Sequence, residues 1–470
     1  MCGRWGNGEP MSYMPPTDSM FLLAESREHP MHVGGLQLLV PPEGSGPEFV
    51  RELLDTFRGR DDVSPLFRKH PKEPVGLLGN AFWDVDESID FEYHVRHSAV
   101  PQPGRIRELL QLTSRWHSSL LDRHRPLWEA HVVEGLADGR IAVYSKIHHS
   151  MVDGVGALRL LQRSFSPDPD ARDCVPPWLL PPRSRAVDRS SGGGFDPLAV
   201  LRGGADVAGD LAGLVPVGLK IAKQVFRDGD VTLPRAPRTI LNGPVGGARR
   251  FAAQSWEIAR IQQVAKSSAT TMNDVVLAMV SGALRAYLME QNALPDDPMT
   301  AMVPVSLSLR EDSAGKDDGG NSVGVIVVSL ATDRENGATR LEEISYSSKQ
   351  AKKIMGGLSA TQVLALSAAQ MLPLAFAPVP GFVRYTHPPF NVIVSNVPGP
   401  KEEVYFNGAR LDGMYPVSIV LDGQALNITL ASRAGYLDFG LIGCRTSLPH
   451  LQRLLQHLED SLAELETAWG

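Results

Sequence analysis

The sequence predicts a mixed α/β protein of two domains joined by a proline-rich crossover. Its 470 residues exceed what one hydrophobic core usually supports. Both halves alternate segments of strand character with segments of helical periodicity. Between them, residues 166–194 are dense in Pro, Gly, Ser and charge, which is typical of an exposed connection. We therefore expect a disordered leader at 1–10, domains at 11–180 and 243–470, and a crossover of broken helices at 181–242.

Hydrophobic periodicity assigns the individual elements in chain order. In the first half, helical spacing of apolar residues predicts helices at 47–58, 105–119 and 154–165. Apolar runs or alternation predict strands at 33–39, 131–134 and 140–147. In the second half, the same patterns predict helices at 258–267, 273–290 and 448–467. The strands predicted there are 300–307, 323–330 and 392–395.

Composition excludes several classes of protein. Hydrophobic residues make up 43% and charged residues 21%, which excludes a disordered chain. The net charge of −7, with no long basic run, argues against a nucleic-acid partner. No apolar run is long enough for a transmembrane helix or a signal peptide. Three scattered cysteines, Cys2, Cys174 and Cys444, make a disulfide framework or zinc site unexpected and favour a cytoplasmic setting.

The most specific motif is His148-His149-Ser150-Met151-Val152-Asp153-Gly154, at a predicted junction between a strand and a helix. Adjacent residues of an extended chain point to opposite faces, so the two histidines are expected to have different surroundings. A neutral imidazole is the usual group for taking a proton from a hydroxyl. Asp153 can bind backbone amides or pair with a buried arginine, and Gly154 would allow close approach of the backbone.

Other interpretations of this motif remain open at the level of sequence. Asp153 can be a simple helix N-cap, and a single histidine in a strand is often an ordinary core residue. A metal site is not expected, because the two histidines diverge and no third ligand lies at helical spacing.

The motif resembles the HHxxxDG motif of the CoA-dependent acyltransferase superfamily. More specifically, the chain resembles the bacterial wax ester synthase/diacylglycerol acyltransferase family from Met11 to the C-terminus. The matching segments, in order, are MSYMPPTDSMFLLAE, PMHVGGL, RPLWEAHVVEGL at 125–136, HHSMVDG, TMNDVVLA at 271–278 and NVIVSNVPGP at 391–400.

The resemblance implies two chloramphenicol-acetyltransferase-like domains with an active-site tunnel at their interface. It implies transfer of a fatty acyl group from acyl-CoA to diacylglycerol or a long-chain alcohol, without an acyl-enzyme and without a cofactor. His149 matches the family's proton acceptor, whereas His148 and Asp153 match positions that shape the site. A carrier-protein thioester as donor, or a catalytically silent lipid-binding scaffold, are the alternative functions.

Further substrate-binding candidates come from the other matching segments. Asn273 matches a polar group expected in the tunnel, or it caps the helix that follows. Pro126, Leu127 and Trp128 either border an acyl pocket or order the chain before a strand. Ser395 and Asn396 either border the channel, as Gly154 would, or belong to a tight turn.

One segment departs from the family pattern. The chain reads PVSLSLREDSAGKDDGGNSVG where a compact PVSLR is usual, so the role of Arg310 as a partner of Asp153 stays open. Water-insoluble substrates imply peripheral contact with a membrane or a lipid droplet. The apolar stretches 211–226 and 364–383 are the candidates for that contact, or they are buried packing segments.

Overall fold

The computed structural model describes residues 12–59, 62–72, 82–181, 235–306, 323–358, 362–363, 366–367, 369–371 and 381–469. It divides into two compact units. Unit 1 comprises residues 1–112, 119–184 and 403–413, and unit 2 comprises 113–118, 185–402 and 414–470. Residues 113–118 thus belong to unit 2 although the residues on both sides of them belong to unit 1. Residues 403–413 belong to unit 1 although the residues on both sides of them belong to unit 2. The predicted leader, Arg310, the stretch 211–226 and most of the crossover and of 364–383 lie outside the described residues.

Unit 1 contains two sheets. The larger has the strand order β12-β13-β2-β7-β6-β5 and the smaller the order β1-β4-β3. The strands are β1 (Ser12–Tyr13), β2 (His32–Val40), β3 (Lys69–Pro71), β4 (Phe82–Val85), β5 (Val95–Ala99), β6 (Trp128–Glu134), β7 (Ile141–His148), β12 (Tyr405–Phe406) and β13 (Ala409–Val417, shared with unit 2). The helices are α1 (Pro16–Ala24), α2 (Glu48–Arg58), α3 (Phe91–His94), α4 (Ile106–Ser118, shared with unit 2) and α5 (Gly154–Gln162).

Unit 2 is built on one sheet with the strand order β10-β9-β11-β14-β15-β8. Its strands are β8 (Arg249–Glu257), β9 (Thr300–Ser306), β10 (Val323–Ser329), β11 (Val392–Val397), β14 (Leu426–Arg433) and β15 (Tyr436–Cys444). Its helices are α6 (Ile258–Ser267), α7 (Met272–Glu290), α8 (Gly337–Gly356), α9 (Phe382–Tyr385) and α10 (Arg453–Trp469). The predicted elements of both halves are therefore confirmed within a few residues.

Helix α7 is the core element of unit 2 and packs against α6, α8 and α10. Its middle is buried all round, from Asp274 to Leu284. Gly282 permits the approach of α10, because a Cβ there would collide with Ser461. The helix begins with a capping box in which Thr271 Oγ1 accepts from the Asp274 amide at 3.2 Å. The prediction that Asn273 is the cap is therefore wrong, since Thr271 occupies that position.

The central strand β7 positions the histidine motif in unit 1. It pairs antiparallel with β2 on one side, with His32 opposite His148, and with β6 on the other, with Trp128 opposite Ile147. β2 pairs with the strand along its whole length and β6 pairs with it from Ala142 to Ile147, so the residues that follow it leave a rigid frame. Within the described ranges, no helix has the length and apolar character needed to cross a membrane.

Candidate active site

His149 lies directly beyond the last residue of β7, and its amide still donates to Met31 O at 2.8 Å. Its ring stacks on Phe21, with 4.2 Å between ring centroids and 27° between ring planes. Nδ1 is enclosed and has no hydrogen-bond partner among the described residues. The residue as a whole is only partly buried. The ring is therefore held rigidly but is not sealed inside the protein.

The environment of His149 keeps the imidazole neutral. Burial lowers its pKa to about 4, and the nearby charge of Asp153 opposes this shift only in part. His148 contributes further to the lowering. At pH 7 the ring is consequently in the form that accepts a proton.

His148 has a different environment and is fully buried. Its Nδ1 accepts from the Ser150 amide at 3.1 Å and lies 2.7 Å from Ser150 Oγ. Its Nε2 lies 3.3 Å from Glu25 Oε1. The prediction that the two histidines have different surroundings is confirmed.

Asp153 is the N-cap of α5, and its Oδ1 accepts from the Gly156 amide at 2.6 Å. The side chain fixes the start of the helix, as one of the open interpretations predicted. A Cβ on Gly154 would meet nothing within 4 Å among the described residues, so no protein segment packs closely there and its substrate-binding role stays a prediction. A Cβ on Gly156 would instead meet Val152 and Asp153.

Pro126, Leu127 and Trp128 are all buried where the chain enters β6. Trp128 stacks between His94 and Trp178, and its Nε1 donates to Phe67 O at 2.8 Å. Leu127 belongs to a hydrophobic cluster with Met14, Leu22, Trp83 and Leu121, against which Met151 of the motif packs. These residues order the chain before a strand that is three residues longer than predicted, beginning at Trp128.

A small, mostly apolar cavity adjoins the motif within unit 1. Its walls come from β2, β6 and β7, from α5 and from an aromatic group, and the charged residues Glu129 and Lys146 are among them. They include Val33, Gly35, Ser145, Ile147, Ala157, Leu160, Leu161, Phe67, Trp128 and Trp178. Strand alternation places Ile147 on the same sheet face as His149, and α5 begins at the end of the motif. Trp128 therefore both orders the chain and lines the cavity.

The sequence patterns did not predict a buried charged cluster on the same strands, in which Glu129 and Lys146 also border the cavity. Glu129 of β6 lies 3.1 Å from Lys146 Nζ of β7, and these two residues are opposite each other in the register. Its carboxylate also lies 3.4 Å from His131 Nε2 and 3.4 Å from Arg96 Nη2. The signal was present in the sequence, because Glu129, His131 and Lys146 interrupt otherwise apolar strands.

Asn273, Ser395 and Asn396 belong to unit 2. Asn273 is partly buried in the first turn of α7, Ser395 is partly buried and Asn396 is exposed. The prediction that a turn begins at Ser395 is wrong, because β11 continues to Val397. Among the described residues, no group of three or more His, Cys, Asp or Glu side chains is arranged to hold a metal ion.

Comparison with known proteins agrees with these features. Residues 14–276 match the wax ester synthase/diacylglycerol acyltransferase catalytic domain, and residues 319–466 match the corresponding C-terminal domain. A Mycobacterium tuberculosis protein named probable diacylglycerol O-acyltransferase tgs2 is 54% identical over 461 residues, covering 98% of this chain and 100% of that protein. The O-acyltransferase WSD of Acinetobacter baylyi is 41% identical over 463 residues, covering 97% of each chain.

Solved structures show the same relationship. The wax ester synthase/diacylglycerol acyltransferase from Marinobacter aquaeolei superposes with a TM-score of 0.80 at 41% identity, covering 98% of this chain and 100% of that one. The first condensation domain of the CDA synthetase, at 16% identity and a TM-score of 0.54, covers 99% of this chain and 98% of its own and shares the fold. The expected two-domain α/β architecture is thus confirmed. With both of its domains matched, the chain belongs to the wax ester synthase/diacylglycerol acyltransferase family, and it is an acyltransferase that joins an acyl donor to a lipid acceptor.

Proposed function

We propose that this enzyme transfers a fatty acyl group from acyl-CoA to the hydroxyl of diacylglycerol, and also to long-chain alcohols. The observation that carries the proposal is the His149 ring. It is neutral at pH 7, is stacked on Phe21, and has its Nδ1 enclosed, which leaves Nε2 as the nitrogen that can meet a substrate. The names of relatives such as tgs2 and WSD support the same class of reaction.

The proposed reaction needs neither a covalent acyl-enzyme nor a cofactor, because both substrates meet at His149. Nε2 takes the proton of the acceptor hydroxyl while the oxygen attacks the thioester carbonyl. The tetrahedral intermediate then collapses, the carbon–sulfur bond breaks, and the imidazolium returns its proton to the CoA thiolate. The products are an ester and free CoA, with atoms and charge in balance.

Other residues have supporting roles in this proposal. Asp153 fixes the first turn of α5, and His148 anchors the turn beside β7 through Ser150. The developing oxyanion needs a hydrogen-bond donor, which typically contributes about 3–4 kcal/mol. Asn273, Ser395 and Asn396 carry such donors and stay the candidates for this task.

The cavity beside β7 is proposed to hold the hydrocarbon tail of a substrate. Its lining is mostly apolar, with Glu129, Ser145 and Lys146 as polar members, and it includes Ile147, two residues before His149. A reacting carbonyl at His149 would direct an extended tail past Ile147 toward Ala157 and Leu161. This gives Trp128 a substrate-binding role in addition to its packing role.

Substitutions in the cavity should therefore shift chain-length preference in opposite directions. We expect Ala157→Leu to shorten the preferred chain length by about three methylenes and Leu161→Ala to lengthen it. Each methylene that is gained or lost in the cavity should change kcat/KM by about 4-fold. Two substrate series check this, one varying the acyl-CoA and one varying the alcohol, so that the tail in the cavity is identified. Arg159→Ala, an exposed position on the same helix, is the matched control. An unchanged preference in both series would remove the cavity from the site.

The acceptors are barely soluble in water, and we propose that the enzyme collects them as a peripheral protein on the cytoplasmic face of a membrane or on a lipid droplet. Binding to vesicles that contain diacylglycerol, measured by flotation, checks this part. Protein that stays at the bottom of the gradient with all vesicles would contradict it.

A two-substrate assay tests the central proposal. Purified protein is mixed with palmitoyl-CoA and either diacylglycerol or hexadecanol, and release of the CoA thiol is followed together with the lipid product. We expect turnover with at least one acceptor. Turnover only with a carrier-protein thioester would instead favour a condensation-type enzyme, and lipid binding without turnover would indicate a scaffold.

A further inference from the structure

Helix α1 brings two side chains against the two histidines of the motif. Phe21 stacks on the His149 ring, and Glu25 lies 3.3 Å from His148 Nε2 through Oε1. The two residues are four positions apart, and the Glu25 amide donates to Phe21 O, so both project from one side of the helix. Leu22, between them, is buried in the cluster that contains Leu127, which fixes the helix in place.

Glu25 uses both carboxylate oxygens, and its side chain is only 2% exposed. Oε1 accepts from the Met31 amide at 3.2 Å, in addition to its contact with His148. Oε2 accepts from Arg123 through Nε at 3.1 Å and Nη2 at 3.0 Å. Burial acts to raise the pKa of Glu25, but His148 and Arg123 lower it by a larger amount. The net pKa is therefore below the ordinary value, and the group is a carboxylate at neutral pH.

The His148 ring has contacts on two sides. Nδ1 accepts from the Ser150 amide, and Nε2, on the opposite side of the ring, faces the Glu25 carboxylate. The same carboxylate holds Met31, whose carbonyl accepts the amide of His149. Glu25 is thus connected to His149 along two short paths, one through the His148 ring and one through the Met31 backbone.

We propose that Phe21 and Glu25 are positioning residues for His149, an inference that rests on the proposed role of His149 as proton acceptor. Phe21 fixes the plane of the ring, and its π face favours the imidazolium that forms when the ring takes the hydroxyl proton. Glu25 places a carboxylate beside His148 Nε2 and binds the Met31 amide, and these two contacts help to set the backbone position of His149. Neither residue needs to touch a substrate.

Steady-state kinetics of variants tests this assignment. We expect Phe21→Leu and Glu25→Gln each to lower kcat by about 10- to 100-fold, as small displacements of a catalytic group do, with KM for the acyl donor unchanged. Phe21→Tyr keeps the stacked ring and should retain most of the wild-type kcat. Leu23→Ala, on the same helix but with Leu23 68% exposed, should have no effect.

A matched variant separates positioning from simple stabilisation. Arg123→Lys removes the two hydrogen bonds that the guanidinium donates to Glu25 Oε2 but keeps the positive charge. It leaves the contact between Glu25 Oε1 and His148 Nε2 in place. We expect it to lower the melting temperature while kcat stays near that of the wild type. If Arg123→Lys and Glu25→Gln lowered kcat in proportion to melting temperature, Glu25 would be only a structural residue and the assignment would be wrong.

Double variants test the two paths. Glu25→Gln combined with His148→Ala should lower kcat little more than His148→Ala alone, because Glu25 acts partly through the His148 ring. Phe21→Leu combined with either variant should lower kcat by the product of the two separate effects. Nitrogen NMR of the imidazoles should show the His148 proton on Nε2 in the wild type and a changed signal in Glu25→Gln. Wild-type kcat in Phe21→Leu and Glu25→Gln, with inactive His149→Ala, would overturn this inference alone. An active His149→Ala would instead overturn the proposed function.

Discussion

His149→Ala is expected to lower kcat by about 10²- to 10⁴-fold, the range for removing a general base. The physical reason is that the ring is neutral at pH 7 and is held by Phe21 and by the Met31 carbonyl, while the described residues around it offer no second imidazole in an equivalent position. Release of CoA thiol in the palmitoyl-CoA assay measures the effect. Turnover equal to that of the wild type would show that His149 is not the proton acceptor.

Two controls sharpen that experiment. His148→Ala should be less harmful, because His148 is buried against Ser150 and Glu25 and acts on backbone geometry.

The pH dependence of kcat/KM gives independent evidence. Since the pKa of His149 is lowered to about 4, the base stays unprotonated well below pH 6, and activity should fall only as the pH approaches about 4. If kcat/KM instead fell near the ordinary imidazole pKa, a group other than His149 would control the acid side of the profile.

Glu129→Gln is expected to cost about 3–5 kcal/mol of stability, the usual cost of leaving one member of a buried ion pair without its partner. The side chain of Lys146 has no exposed surface, and its ammonium would lose the carboxylate at 3.1 Å. Replacing both members, as Glu129→Leu with Lys146→Met, should recover much of the loss because no charge is then buried. Chemical denaturation, which yields a midpoint and an m-value, measures the free energy of unfolding of both variants.

The pair Arg105 and Glu108 is the matched control, since it has a similar Nη2–carboxylate distance of 2.9 Å and its Arg105 side chain is 61% exposed. Glu108→Gln should leave the denaturation midpoint almost unchanged, because solvent screens such a pair. An equal loss in Glu108→Gln and Glu129→Gln would show that burial of the Glu129 cluster is unimportant.

The same carboxylate predicts how stability depends on pH. Burial acts to raise the pKa of Glu129, but His131, Lys146 and Arg96 outweigh it and lower the pKa from 4.5 to about 2. The folded state therefore binds this proton more weakly than the unfolded state does. Its contribution of about 3 kcal/mol is present above about pH 4.5 and is lost as the pH falls toward 2. Glu129→Gln should flatten the stability curve in that interval.

Several predicted elements needed only local information. The strand at Ile141–His148, the helix at Gly154–Gln162 and the cap at Asp153 follow from hydrophobic period and from the preference of Asp for N-caps. Strands β14 and β15 were not predicted, although Leu426, Ile428 and Leu430 alternate with polar residues in β14; in the fold nearly all residues of both strands are buried on both faces. The capping position of α7 was assigned to Asn273 when Thr271 supplies it together with Asp274.

The sequence by itself determined the family and the motif that contains the proposed proton acceptor, because His148, His149 and Asp153 lie close together in the chain and their spacing is visible without a fold. Only the tertiary structure decided what holds these residues. Phe21 and Glu25 precede the motif by more than a hundred positions, and they contact His149 and His148, respectively, because α1 packs beside the end of β7. Glu129 meets Lys146 through the register of β6 and β7. Such contacts depend on how elements pair and pack, and no local pattern encodes them.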